Sequence, residues 1–146
     1  MIRLRKAVLS DVDLLFKWAN DSSVRQNSFK SDPIPYEAHV QWFDKMMKDE
    51  SILQFILMDE DTPVGQIRLN IDGSSAEIGY SIAAEYRGKG YGHKILQLML
   101  DEVKINHGTV KTLIAKVKPN NAASNSLFLQ EGYSPVYTSY KLKVSQ

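Results

Sequence analysis

Glycine and positive charge are concentrated at Arg87-Gly88-Lys89-Gly90-Tyr91-Gly92. Glycine lets backbone approach a ligand closely and take positive φ. The apolar positions Ile95, Leu96, Met99 and Val103 follow at helical spacing, so this turn opens a helix running to about Asn106. A helix N-terminus offers unpaired amides and the positive end of a dipole. With Arg87 and Lys89 beside it, the turn suits a phosphate-bearing ligand. The spacing G-x-G-x-G, past the middle of the chain, excludes the dinucleotide fingerprint G-x-G-x-x-G. Gly88-Lys89 is followed by Gly90 where a P-loop needs Ser or Thr, so that motif is excluded as well.

Composition narrows the chemistry further. The chain has 146 residues, with 18 Lys and Arg against 17 Asp and Glu, and no cysteine. That length fits one domain over 1–146. A net charge of +1 gives no global basicity to argue for a nucleic-acid partner. Without cysteine there is no disulfide framework, no Cys-zinc site and no thiolate nucleophile. The three histidines are scattered and make no metal site. A transferred group must therefore use another nucleophile or pass directly from donor to acceptor. No apolar signal region follows the first residues, and no stretch reaches the roughly 20 apolar residues of a membrane span. A cytoplasmic location with no membrane partner is the expectation.

The elements that must position the turn are legible from periodicity. Ile2–Lys6 alternates apolar and basic residues as a strand does. Ser10 or Asp11 caps a helix through Asn20, residues 24–35 read as polar and irregular, and Tyr36–Lys48 is helical. Residues 52–58, 64–71 and 76–82 are strands with short turns between them, hence antiparallel. Residues 112–117 form a strand joined to 76–82 through the long helix, and such a crossover implies a parallel pair. A helix over 121–130 stops at Gly132, and 133–143 holds one or two final strands. A mixed α/β fold follows, with a mostly antiparallel sheet of six to seven strands and about four flanking helices.

The turn resembles motif A of the GNAT acetyltransferases, Arg/Gln-x-x-Gly-x-Gly/Ala, at Arg87, Gly90 and Gly92. Downstream, Asn121-x-x-Ser124-x-x-Leu127-Phe128-x-x-x-Gly132-Tyr133 resembles the family's second signature, Asn-x-x-Ala/Ser-x-x-Leu-Tyr-x-x-x-Gly-Phe. Together they cover about 77–133. The resemblance implies acetyl-CoA as donor. The amides of Gly88, Lys89, Gly90, Tyr91 and Gly92 would hold its pyrophosphate, with the Arg87 and Lys89 side chains nearby. The strands ending at Ile82 and near Val117 would splay around the pantetheine. The Ser81 amide would face the thioester carbonyl, Ile82 and Ala83 would lie along the arm, and Asn121, Ser124 and Phe128 would line the other side. Phe128 departs from the family's tyrosine, which protonates the leaving thiolate. Tyr133, Tyr80 and Tyr86 are alternative proton donors, as is water.

Along the strand 76–82, Glu77, Gly79 and Ser81 share one face, a carboxylate beside two small residues. Glu77 also lies ten residues before Arg87, where some family members carry a general base. Its other reading is a solvated strand glutamate. Trp18-Ala19-Asn20-Asp21, Asn27-Ser28 and His39-x-x-Trp42-Phe43 resemble the family's amino-sugar branch, which acetylates nucleotide-linked amino sugars. That resemblance would place Arg25 and Arg68 at a diphosphate and Asn27 and His39 at sugar hydroxyls. The alternatives are a protein N-terminal amine, as in the ribosomal-protein acetyltransferases, and a non-catalytic acyl-CoA-binding module. Monomer and homodimer both stay open.

Overall fold

The protein is described from a computed structural model covering residues 1–144. Its elements run β1 (Ile2–Lys6), α1 (Val12–Ala19), α2 (Ser22–Asn27), α3 (Tyr36–Lys48), β2 (Ile52–Asp59), β3 (Thr62–Asp72), β4 (Ser75–Ile82), α4 (Tyr91–Asn106), β5 (Thr112–Ala115) and α5 (Ala122–Gln130). The strands lie in the order β1-β2-β3-β4-β5. Neighbours are antiparallel except β4 and β5, which are parallel across the α4 crossover.

The two-residue period sends alternate side chains of each strand to opposite faces. Phe55, Leu57, Ile67, Leu69, Ala76 and Ile78 pack on one face against Ile95, Leu96, Met99 and Val103 of α4. Ile56 and Met58 point the other way, against Leu15 and Trp18 of α1 and Phe43 and Met46 of α3. Each such side chain contributes roughly 1.5–3 kcal/mol on full burial. The sheet is thus gripped from both sides. At its β4–β5 end the strand pairing breaks off.

Two elements differ from the sequence expectation. Residues 22–27 are helical where a polar irregular stretch was expected, because Asp21 caps them: its carboxylate accepts from the Val24 amide at 3.1 Å. Six residues are too few to show a helical period. The sheet has five strands, since 133–143 pairs with nothing and forms no strand among the described residues. Tyr133 is anchored through its amide to the Phe128 carbonyl at 2.9 Å, but Val136, Tyr137, Tyr140 and Leu142 beyond it are exposed. Alternation alone orders no strand when the side chains bury nothing to offset chain entropy. Among the described residues, five α-helices accompany the sheet, against the expected four or so.

At the far edge, the Arg5 guanidinium clasps the buried Asp11 carboxylate with two hydrogen bonds, at 2.8 and 2.9 Å, joining β1 to the turn before α1. These bonds hold the Asp11 carboxyl below the ordinary carboxylate range in spite of burial. A depressed carboxylate pKa stabilises fully above the unfolded value of about 3.9 and ceases to do so as pH falls through the folded value. Asp11→Asn is therefore expected to lower stability by about 1–3 kcal/mol at neutral pH. In urea unfolding followed from pH 7 to pH 2, the gap to wild type should close in acid. A gap that is constant with pH would show that the pair carries no such linkage.

Candidate active site

The site begins where β4 and β5 stop pairing. Their last partners are Ile78 and Ala115, yet β4 continues to Ile82, bonded to β3 alone. Two contacts fix which backbone groups face the resulting gap. The Ala83 amide donates to the Val64 carbonyl of β3 at 2.8 Å, so by the strand period the Gly79 and Ser81 amides also point to β3. The Thr112 amide donates to the Ser74 carbonyl, which puts the even-numbered groups on the β5 side. Tyr80 and Ile82 therefore present backbone to the gap. The expectation that the Ser81 amide meets the thioester is corrected: that amide belongs to the β3 ladder, and its neighbours hold the exposed positions.

A cavity of about 590 Å³ fills the gap. Residues 78–82 form one wall and residues 115–117 the other. The glycine turn closes one end, α5 contributes Asn121, Ser124 and Phe128, and α2 covers the mouth with Ser23, Val24, Asn27 and Ser28. Gly88 and Gly90 take φ of 76° and 84°, a left-handed conformation that glycine adopts without a Cβ penalty. The first backbone bond of α4 runs from the Lys94 amide to the Gly90 carbonyl, so the Tyr91, Gly92 and His93 amides have no helical partner. They stand at the cavity wall at the positive end of a sixteen-residue helix. Tyr91 anchors this end by donating its hydroxyl to Asp59 at the end of β2.

Most of the expected donor-site residues meet here. Ser81, Ile82, Arg87, Gly88, Gly90, Tyr91, Gly92, Asn121, Ser124 and Phe128 all line the cavity. Ala83 does not; it is buried against α1 and α3. Lys89 lies outside the wall, with its ammonium 5.7 Å over the Tyr86 ring. Arg87 is at the wall with its guanidinium already engaged, donating to the Ile82 carbonyl at 3.0 Å and to Asp21 at 2.9 Å. Its bonds hold the Asp21 carboxyl below the ordinary range. The other end of α2 is held by Lys118, whose ammonium donates to the Gln26 carbonyl at 3.0 Å.

The acceptor set fares differently. Asn27 lines the cavity; Arg25, His39 and Arg68 do not. Arg25 spends its guanidinium on the Ala19 carbonyl, the Lys30 carbonyl and the Ser28 hydroxyl, and so shapes the loop after α2. His39 is 3% exposed, stacked among Phe16, Trp42 and Phe43, with Nε2 bonded to the Val12 carbonyl at 2.9 Å. Its spacing on α3 reflects packing. Arg68 stacks over Trp42, 5.0 Å from the ring centroid, and burial lowers its pKa. Glu77 is also outside the wall and pairs at 2.9 Å with Lys116, which is on it.

Across the gap, the Asn121 side chain caps α5 by accepting from the Ser124 amide. The Ser124 hydroxyl is 2.8 Å from the Tyr80 hydroxyl. Tyr80 packs edge-on against Phe128, with ring centroids 5.8 Å apart, and burial raises its pKa. Tyr133 lies behind Phe128, off the cavity wall, its hydroxyl pushed up to about 12 by burial. Of the wall residues, Ser23, His93 and Lys116 were not anticipated from sequence. Asp21 three residues before Val24 was the available cue to α2. No cluster of His, Asp and Glu suited to a metal occurs among the described residues, and none of their helices is long and apolar enough to cross a membrane.

This architecture of a splayed parallel pair, glycine turn and helix N-terminus coincides with a family match. The model of the GNAT acetyltransferase domain matches residues 2–134, and the chain belongs to that family. It is an acetyl-CoA-dependent acetyltransferase. Among curated relatives it is similar to the acetyltransferase PseH of Campylobacter jejuni, 26% identical over 127 residues, covering 85% of this chain and 77% of that one. Its fold is similar to a domain from Methanocaldococcus jannaschii, with a TM-score of 0.82, 25% identity, and coverage of 95% and 92%. It is also similar to the spermidine N-acetyltransferase of Vibrio cholerae, solved with CoA and spermine, with a TM-score of 0.81, 21% identity, and coverage of 90% and 79%.

The glycine turn yields a direct test. A Cβ at Gly90 would meet nothing within 4 Å, so substitution costs only the left-handed conformation, about 1 kcal/mol. Gly90→Asp should leave circular dichroism native and weaken CoA binding at least tenfold in calorimetry. Wild-type affinity would remove the pyrophosphate from this turn.

Proposed function

We propose that this acetyltransferase acylates the amino group of a nucleotide-linked amino sugar. The observation carrying this reading is the chemistry of the acceptor-side wall. Ser23 and Asn27 of α2 offer a hydroxyl and an amide to a cavity that Lys116 also lines. Short polar side chains with one cation suit a polyhydroxylated, anionic molecule. The amino-sugar-like segments at 18–21 and 27–28 lie on the elements that build this wall.

The acetyl group moves directly from donor to acceptor, and with no cysteine in the chain no cysteinyl intermediate forms on the way. The amine lone pair attacks the thioester carbonyl carbon, the C–N bond forms, and the C–S bond breaks with its electron pair leaving on sulfur. Glu77, joined to the wall through Lys116, takes the ammonium proton through water. Tyr80 donates its hydroxyl proton to the sulfur. Its hydroxyl stands against Ser124 and its ring beside Phe128, which has no proton of its own to give. Both groups exchange protons with solvent to complete the cycle, and positioning of the two substrates supplies much of the acceleration.

A mass-spectrometric screen with acetyl-CoA should give acetylated nucleotide-amino sugars in preference to peptides and polyamines. Preferential acetylation of a peptide N-terminus would replace the sugar reading, and CoA binding without turnover on any amine would replace the enzymatic mechanism. Tyr80→Phe is expected to lower kcat roughly 10²-fold with CoA affinity retained. Glu77→Gln should lower turnover and flatten its rise with pH. An unchanged pH profile would remove Glu77 as base.

A further inference from the structure

Gln54 is an amide buried in a core strand, 6% exposed, among Phe55, Ile56 and Leu57. A buried amide is costly unless hydrogen-bonded. Its Nε2 lies 3.3 Å from both the Phe55 and Ile67 carbonyls. Carbonyls only accept, so the nitrogen must be on that side, and this fixes the orientation of the group. The two carbonyls share one of its N–H groups, and the other donates to Gln66 Oε1 at 2.8 Å. Gln66 is thereby oriented too, with its own Nε2 donating to Ser81 Oγ at 3.1 Å. Two backbone carbonyls therefore set the direction of a chain of amides that ends on a hydroxyl in the cavity wall.

A serine hydroxyl has one proton and two lone pairs. Gln66 occupies one lone pair, and no protein acceptor receives the Ser81 proton among the described residues. The hydroxyl is left as a donor aimed away from Gln66. The Ser81 amide is committed to β3, so the side chain is how this residue reaches substrate. The next amide along the chain, that of Ile82, faces the gap. It lies only a few covalent bonds from Ser81 Oγ, so the two donors can converge on one oxygen.

We propose that the Ser81 hydroxyl and the Ile82 amide together form the oxyanion site for the thioester carbonyl, with Gln66 and Gln54 as positioning residues. As the amine adds, the carbonyl π electrons move onto oxygen. The Ser81 proton stays on serine and strengthens its hydrogen bond to that oxygen, and the charge is released when the C–S bond breaks. Losing one such donor costs about 10²–10³ in kcat. The proposal needs only acetyl-CoA as donor and is independent of which amine accepts.

Isotope-edited infrared spectroscopy of ¹³C-acetyl-CoA bound to the full chain reads the carbonyl directly. In wild type the carbonyl stretch should lie below that of the free thioester. Ser81→Ala should raise it and lower kcat at least tenfold on whichever amine the enzyme accepts, with CoA affinity within about threefold of wild type. Gln66→Glu should mimic Ser81→Ala, because the carboxylate can only accept and draws the serine proton toward itself. Gln66→Met, which adds no charge, should give a smaller change in the same direction, and the Gln66→Met/Ser81→Ala double variant should be no worse than Ser81→Ala alone. A carbonyl stretch unchanged by Ser81→Ala would overturn the oxyanion assignment. Wild-type spectra and turnover in both Gln66 variants would overturn the relay.

Discussion

A backbone polar group buried without a partner costs about 1–3 kcal/mol, and folded chains almost never leave one. β4 is built against that constraint. It runs four residues beyond its last pairing with β5, turning the Tyr80 backbone and the Ile82 amide toward a gap, while the Ile82 carbonyl accepts from Arg87. Only an extended ligand with its own amides and carbonyls can match such an edge along its length. The pantetheine arm of CoA is one. The rest of the structure serves this gap: α4 brings its N-terminus to one end, α5 forms the facing wall, and α2 covers the mouth.

β4 and α5 meet through the hydroxyls of Tyr80 and Ser124, beside the packing of Tyr80 on Phe128. That contact explains how Phe128 is tolerated. In the proposed mechanism the proton donor need not come from α5, because β4 brings the Tyr80 phenol beside Ser124 and Phe128. Phe128 instead carries weight as packing, gripping Tyr80 on one edge and Tyr133 on another. A hydroxyl missing from one element and present on its neighbour keeps the chemistry while changing which element carries it.

Strand and helix periods, the crossover and the glycine turn were all legible in the sequence, because each rests on local patterns that tertiary contacts reinforce. The cavity lining was legible for the same reason: Gly90, Gly92, Asn121 and Ser124 all meet at it. Failures occurred where position along the chain says little about direction in space. His39 and Arg25 are polar residues in a plausible region, but their hydrogen bonds turn inward to Val12, Ala19 and Lys30. The Ser81 amide was misjudged because amide direction depends on strand register, which only the β3 and β5 partners fix. The tail over 133–143 alternates like a strand and finds no partner. Gln54 gave no signal at all, since a lone glutamine in an apolar strand acquires meaning only from the carbonyls around it.

The short helix α2 is a cross-brace. Its N-cap, Asp21, is bolted to the glycine turn through Arg87, and its last turn is bolted to the approach to α5 through Lys118. With CoA and acceptor seated as proposed, Arg87 stands at the donor end of the cavity while Ser23 and Asn27 face the acceptor. Donor and acceptor therefore share one mechanical part. Whatever free energy an acceptor contributes by shifting or stiffening this brace is felt at the CoA end, and thermodynamic reciprocity returns the same amount to the acceptor when CoA binds. With both substrates seated as proposed, their affinities would be coupled through this six-residue helix.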